Sequence, residues 1–150
     1  MAVPADTVLL PDPKHPEYVR IEKIDGRFAV IRDVPGFNKE FAFGDMIQIV
    51  SKMGIPTAEN VVEPSSWTGC GLLLTKTIET NGTEIAAILR RMERLGSIAA
   101  LREGAYVVVA VPAVARENVF AEIESGERAG HWEAAILAER HTSKIEPLRD

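Results

Sequence analysis

Cysteine is nearly missing from this sequence: Cys70 stands alone among 150 residues, so no intramolecular disulfide can staple the fold. A reducing, cytoplasmic compartment is the expectation that follows. No stretch approaches the roughly 20 apolar residues of a membrane-spanning helix, and Met1 to Lys14 has neither the basic start nor the apolar run of a secretion signal. Neither a membrane nor a secreted setting is expected. Positive charge is also short, with 17 Lys and Arg against 22 Asp and Glu and a formal net charge of -5, so nucleic acid is not the expected partner. Histidine is limited to His15, His131 and His141, at no spacing that would present several ligands on one face, and no metal site is expected. The one close glycine pair, Gly69-Cys70-Gly71, precedes a strand rather than a helix. That order does not build a phosphate loop, and no cofactor is expected.

What is present is the composition of a folded domain, 46% hydrophobic and 26% charged, at a length that suits one unit with its own core. Pro4, Pro11, Pro13 and Pro16 crowd the start. Each lacks a donor and restricts its predecessor, which predicts an extended arm over residues 1–17. From Tyr18 the pattern alternates. Tyr18 to Ile24 and Arg27 to Arg32 read as strands joined by an Asp25-Gly26 turn. Val34-Pro35-Gly36 breaks the run, and Met46 to Ser51 and Ala58 to Glu63 read as two more strands around the breaker Gly54-Ile55-Pro56. Residues 18–66 therefore predict a small antiparallel β-subdomain curled into a half-barrel.

The period then changes. Leu72 to Glu79 reads as a strand, and Asn81 with Glu84 forms a capping box for a helix whose apolar face is Ile85, Ile88, Leu89, Met92 and Leu95. Gly96 suits the left-handed stop after that helix. Strands at Ile98 to Arg102 and Ala105 to Val111 follow, then a helix from Val114 to Ser125 carrying Ala115, Val119, Phe120 and Ile123, then a strand from His131 to Ala138. The order strand, helix, strand, strand, helix, strand over residues 67–140 predicts a ferredoxin-like βαββαβ unit. The fold class is therefore α+β, a β-subdomain followed by a ferredoxin-like subdomain, with residues 141–150 as a tail.

Several short motifs resemble a bacterial family. They are Val34-Pro35-Gly36-Phe37, Phe43-Gly44-Asp45-Met46-Ile47-Gln48-Ile49, Val61 to Ser66, Arg94-Leu95-Gly96, Val109 to Pro112, Glu124-Ser125-Gly126 and Gly130-His131-Trp132-Glu133. Over about Tyr18 to Ala138 the chain resembles the domain-of-unknown-function family numbered four-two-six-five, small stand-alone α+β proteins. Where that family reads Ser-Gly-His and then a small hydroxylated residue, this chain has Ser65-Ser66-Trp67-Thr68. Any role of the family's histidine is not carried here, and the resemblance implies no activity.

No residues are assigned a catalytic role. A nucleophile needs a base and an orienting group, and Cys70 has no visible basic partner. It reads either as a small apolar strand residue or as a reactive thiol. Asp45, after Gly44, reads as turn chemistry. His131 and Glu133 share one face of a strand while Trp132 faces away into a core. Trp67, in the connector between the halves, either plugs their seam or stands exposed as an anchor. Trp67, Glu63, Glu79, His131 and Glu133 are the candidate partner-binding residues.

Three functions follow as expectations. The first is a non-catalytic protein-interaction module, such as an inhibitor or immunity-type protein that blocks a toxin-like partner. The second is a regulatory domain binding a small molecule, by analogy with other ferredoxin-like units. The third is an enzyme built on carboxylates, which requires at least two of Glu63, Glu79, His131 and Glu133 to meet in one pocket.

Overall fold

The computed structural model describes residues 6–75, 82–102 and 104–141. Strands β1 (Thr7–Leu10), β2 (Glu17–Lys23), β3 (Phe28–Ile31), β4 (Met46–Lys52) and β5 (Ile55–Glu63) form a closed barrel. The β2–β3 turn works through Asp25, whose carboxylate accepts the N–H groups of Arg27 and Phe28. Alternation does the rest: Val8, Leu10, Val19, Ile21, Ala29, Ile31, Ile47 and Ala58 point inward, with Phe41 from the β3–β4 connection filling the same core.

The half-barrel expected from the sequence is thus a closed barrel, because residues 7–10, within the segment read as an arm, supply a fifth strand. Thr7–Leu10 pairs antiparallel with β2 and touches β5 in parallel at Leu9 and Thr57. Four residues between prolines are too few for a period to be recognised, yet Val8 and Leu10 are both fully buried. Pro56, read as a breaker, lies near the start of β5 opposite Ser51, a position where a missing donor is tolerated.

The second half comprises β6 (Trp67–Leu74), α1 (Gly82–Arg94), β7 (Ile98–Leu101), β8 (Tyr106–Pro112), a 3-10 turn (Ala113–Ala115), α2 (Arg116–Arg128) and β9 (Trp132–Ile136). The strands lie in the order β7-β8-β6-β9, every neighbouring pair antiparallel. This is the ferredoxin-like arrangement expected from the sequence. Both helices cover one face. Ile88 and Met92 of α1 and Val119 and Ile123 of α2 meet Cys70, Leu72, Leu74, Val107, Val109, Val111 and Trp132. Gly96 ends α1's turn with φ +106°. Among the described residues no helix is long and apolar enough to cross a membrane.

Strand β6 starts at Trp67, not Leu72, and ends at Leu74. The glycines that suggested a lead-in loop serve instead to let other groups lie close. A Cβ on Gly71 would stand 2.0 Å from the Tyr106 hydroxyl oxygen, so the phenol lies across the strand. Asn81 of the expected capping box, and Glu79, lie outside the described residues.

Gly126 plays the same part on α2. A Cβ there would fall 2.0 Å from Cζ2 of Trp132, a buried ring whose Nε1 donates to the Ile123 carbonyl at 3.0 Å. Gly126→Ala is expected to destabilise the protein by about 1–3 kcal/mol, because a rigid indole cannot yield to the added methyl without losing that bond. Thermal unfolding would show it as a fall in Tm of several degrees, and an unchanged Tm would contradict the packing described.

The barrel sits against the helix-free face of the second sheet. Val34, Val108 and Ala110 form the buried centre of this seam, with Phe43, Trp67, Ile98 and Tyr106 packed around them. The barrel's long β3–β4 connection, not its strands, supplies Val34 and Phe43.

Candidate functional site

Two polar clasps close the seam. At one, Glu17 at the start of β2 accepts three successive backbone N–H groups, from Gly36 (2.9 Å), Phe37 (2.9 Å) and Asn38 (3.2 Å). Arg102, just past β7, donates to the Val34 carbonyl and stands 3.7 Å from the same carboxylate. The Tyr106 hydroxyl donates to the Gly36 carbonyl at 2.6 Å. Burial pushes the Tyr106 hydroxyl above its ordinary pKa, and the Glu17 charge adds to that against the opposing pull of Arg102.

At the other clasp, Asp45 is fully buried and its carboxylate accepts from Ala42 N and Ser65 N, both at 2.8 Å. Arg140, beyond β9, faces it with Nε at 3.1 Å and with Nη2, and Nη2 also donates to the Glu40 carbonyl. Thr68 Oγ1 accepts the Arg140 N–H at 2.8 Å. His141 follows, buried, with Nδ1 2.7 Å from Arg116 Nη1 and Nε2 3.0 Å from the Val111 carbonyl. The segment read as a tail from residue 141 therefore begins with a residue held in the fold, because Thr68, Val111 and Arg116 engage it; residues 142–150 lie outside the description.

These polar groups are engaged by the backbone and by one another. Cys70 is buried and flanked by the sheet, and burial pushes its thiol up to about 12. Of its two readings, the apolar strand residue fits this setting. Among the described residues no group of three or more His, Cys, Asp or Glu could hold a metal ion.

The residues singled out from the sequence are spread over the molecule. Trp67 is half-buried in the seam, edge-on to Phe43 with centroids 5.0 Å apart. It plugs the joint. Glu63 is exposed at the end of β5, opposite Met46. His131 and Glu133 are exposed beside β9, and Trp132 points the other way into the core, as strand alternation predicts. Leu73, the β6 partner of Glu133, is six residues from Trp67, roughly 20 Å along the strand. Trp67 and Glu133 thus do not share a site.

The structure assembles a different surface. His15 stacks on Phe37 (4.7 Å between centroids), and Phe37 stacks on Tyr106 (5.2 Å). Tyr106 is directly opposite Leu73, and Leu73 is opposite Glu133. The result is a row, His15–Phe37–Tyr106–Leu73–Glu133, along the helix-free face, in which Phe37 is 38% and Leu73 52% exposed. Sequence reasoning missed Glu17, Asn38, Arg102, Tyr106 and Arg140. Only Asn38 carried a local signal: its Oδ1 accepts the N–H groups of Glu40 and Phe41, the turn that Asn-x-x sequences favour.

No family model and no curated protein matches the chain. A solved structure of a hypothetical protein from Neisseria gonorrhoeae is similar over 91% of this chain and 94% of its own, with a TM-score of 0.66 and 16% sequence identity. The fold is therefore one that an uncharacterised bacterial protein also adopts.

Proposed function

We propose that this protein is a non-catalytic protein-interaction module, of the inhibitor or immunity type that binds a partner protein and blocks it. The observation that carries the reading is the row His15–Phe37–Tyr106–Leu73–Glu133, where two exposed apolar side chains and a stacked aromatic run end at a carboxylate. Such a strip is a surface for contact: aromatic anchors supply affinity, and the charged rim supplies steering. A cytoplasmic setting belongs to the same reading, as does membership of the four-two-six-five family, which rests on the motif pattern alone.

The test is affinity capture at low salt with the wild type and with Phe37→Ser and Leu73→Arg. The wild type is expected to retain a stoichiometric protein that is released as salt rises, and each variant is expected to retain at least about tenfold less, the loss typical of a central anchor. Leu73 is the more exposed of the two, so Leu73→Arg should unfold at about the wild-type temperature, whereas Phe37→Ser also loses its stacks on His15 and Tyr106 and its capture is compared at a temperature well below its own Tm. A wild type that retains no stoichiometric protein would sink the reading.

A further inference from the structure

Strand β9 is an edge: β6 lies on one side, and no described strand lies on the other. Its backbone orientation is fixed by particular bonds. His131 O accepts from Thr75 N, and Leu137 N donates to Gly69 O, so the odd-numbered residues face β6. The even-numbered residues Trp132, Ala134 and Ile136 turn their N–H and C=O groups outward. The outward direction is visible at Ala134, whose N–H donates not to a strand but to Glu127 Oε2 of α2, at 3.2 Å.

Natural edges are commonly protected by lysine, proline, a bulge or extreme shortness. Trp132-Glu133-Ala134-Ala135-Ile136 has no lysine or proline, and its register against β6 is continuous. The other edge, β7, has four residues, and Arg102 just beyond it is tied into the barrel's connection. β9 is the more open of the two. Ile136 is 46% exposed, and Ala135 is exposed beside it.

Charge selects the occupant. Glu133 is exposed on the helix-free side of β9, and Glu124 and Glu127 are exposed along α2, which packs beside the strand. Against them stands Arg128 at the end of α2, while Arg140 and Arg116 are engaged by Asp45 and His141. A second copy would bring the same carboxylates together.

We propose that β9 receives an extended segment of a basic partner protein as a fifth strand of the sheet, with Lys or Arg facing Glu133 and apolar residues facing Ile136. The proposal rests on the interaction-module reading and names its docking element. The incoming strand completes the backbone bonds of Trp132, Ala134 and Ile136, displaces the Glu127 carboxylate from Ala134, and lays its cations on the helix-free face beside Glu133. The row ending at Glu133 then continues directly onto the added strand.

The experiment uses the full chain, isotope-labelled, and two short blocked peptides, one alternating Lys and Val and one alternating Glu and Val. The Lys peptide is expected to shift the amide resonances of residues 132–136 and to slow hydrogen exchange at Trp132 and Ile136, with affinity falling as salt rises; the Glu peptide is expected to do neither. Ala134→Pro removes an outward N–H without touching the ladder to β6, and is expected to weaken Lys-peptide binding at least about tenfold. Should that variant not fold, Glu133→Lys serves, with the preference moving from the Lys peptide towards the Glu peptide. A Lys peptide that leaves residues 132–136 unshifted overturns the proposal. So does concentration-dependent protection of β9 without peptide, which would place a second copy there. If the wild type captures a partner that Ala134→Pro retains equally well, the edge is wrong and the module reading stands; if the wild type captures none, the module reading itself fails.

Discussion

Asp45→Ala is expected to cost about 3–5 kcal/mol, because it leaves the Arg140 guanidinium without its counter-charge inside the seam. Asp45 is fully buried and the Arg140 side chain 13% exposed, so water cannot replace the lost partner. The Ala42 and Ser65 N–H groups lose their acceptor in the same step. Arg140→Ala should be milder, since those two donors still hold the carboxylate. Arg140→Lys should rescue little, because an ammonium cannot reproduce the two-pronged approach of Nε and Nη2. Urea unfolding of the two alanine variants and their double would separate these terms. The double variant is expected to lose less than the sum of the singles, as directly coupled residues do. Additive losses would mean that the two side chains do not support each other.

The second large effect concerns Cys70. A thiol raised from 9.0 to about 12 by burial has, at pH 8, roughly a thousandfold less thiolate than an ordinary cysteine. Alkylation of the native protein is therefore expected to be slower than that of a free thiol by at least that factor, and to speed up only on unfolding. Labelling within minutes under native conditions would contradict the buried placement.

The same shift has a consequence for stability at high pH. The folded-state pKa is raised, so the associated stability is fully present below the unfolded value, near pH 9, and is lost as pH climbs towards 12. The difference between protonation states is roughly 4 kcal/mol. Tyr106 acts in the same direction because its hydroxyl is also pushed up by burial. Cys70→Ala should flatten the alkaline fall in Tm relative to the wild type, and an equal fall in both proteins would show that the thiol is not responsible.

Period and punctuation in the sequence determined the ferredoxin-like unit. Ile85 through Leu95 recur at helical spacing, Gly96 stops the helix, and the continuous apolar run of β8 and its successors leave one order of elements. Trp132 facing inward between exposed His131 and Glu133 follows from strand alternation alone. Asp45 was legible by half: its bond to Ala42 N is the turn that Gly44-Asp45 announces, whereas its pairing with Arg140 spans 95 residues and leaves no local trace.

What tertiary structure decided is where those elements meet. Closing the barrel through Thr7–Leu10 depends on pairing partners supplied by β2 and β5, since four residues carry too little pattern to declare themselves. The row from His15 to Glu133 joins five segments far apart in the chain, and the outward edge of β9 exists only because β6 occupies its other side. Local propensity and hydrophobic period act over neighbouring residues and can be read in order. A surface assembled from distant segments is fixed by packing and strand register, which no stretch of sequence contains by itself.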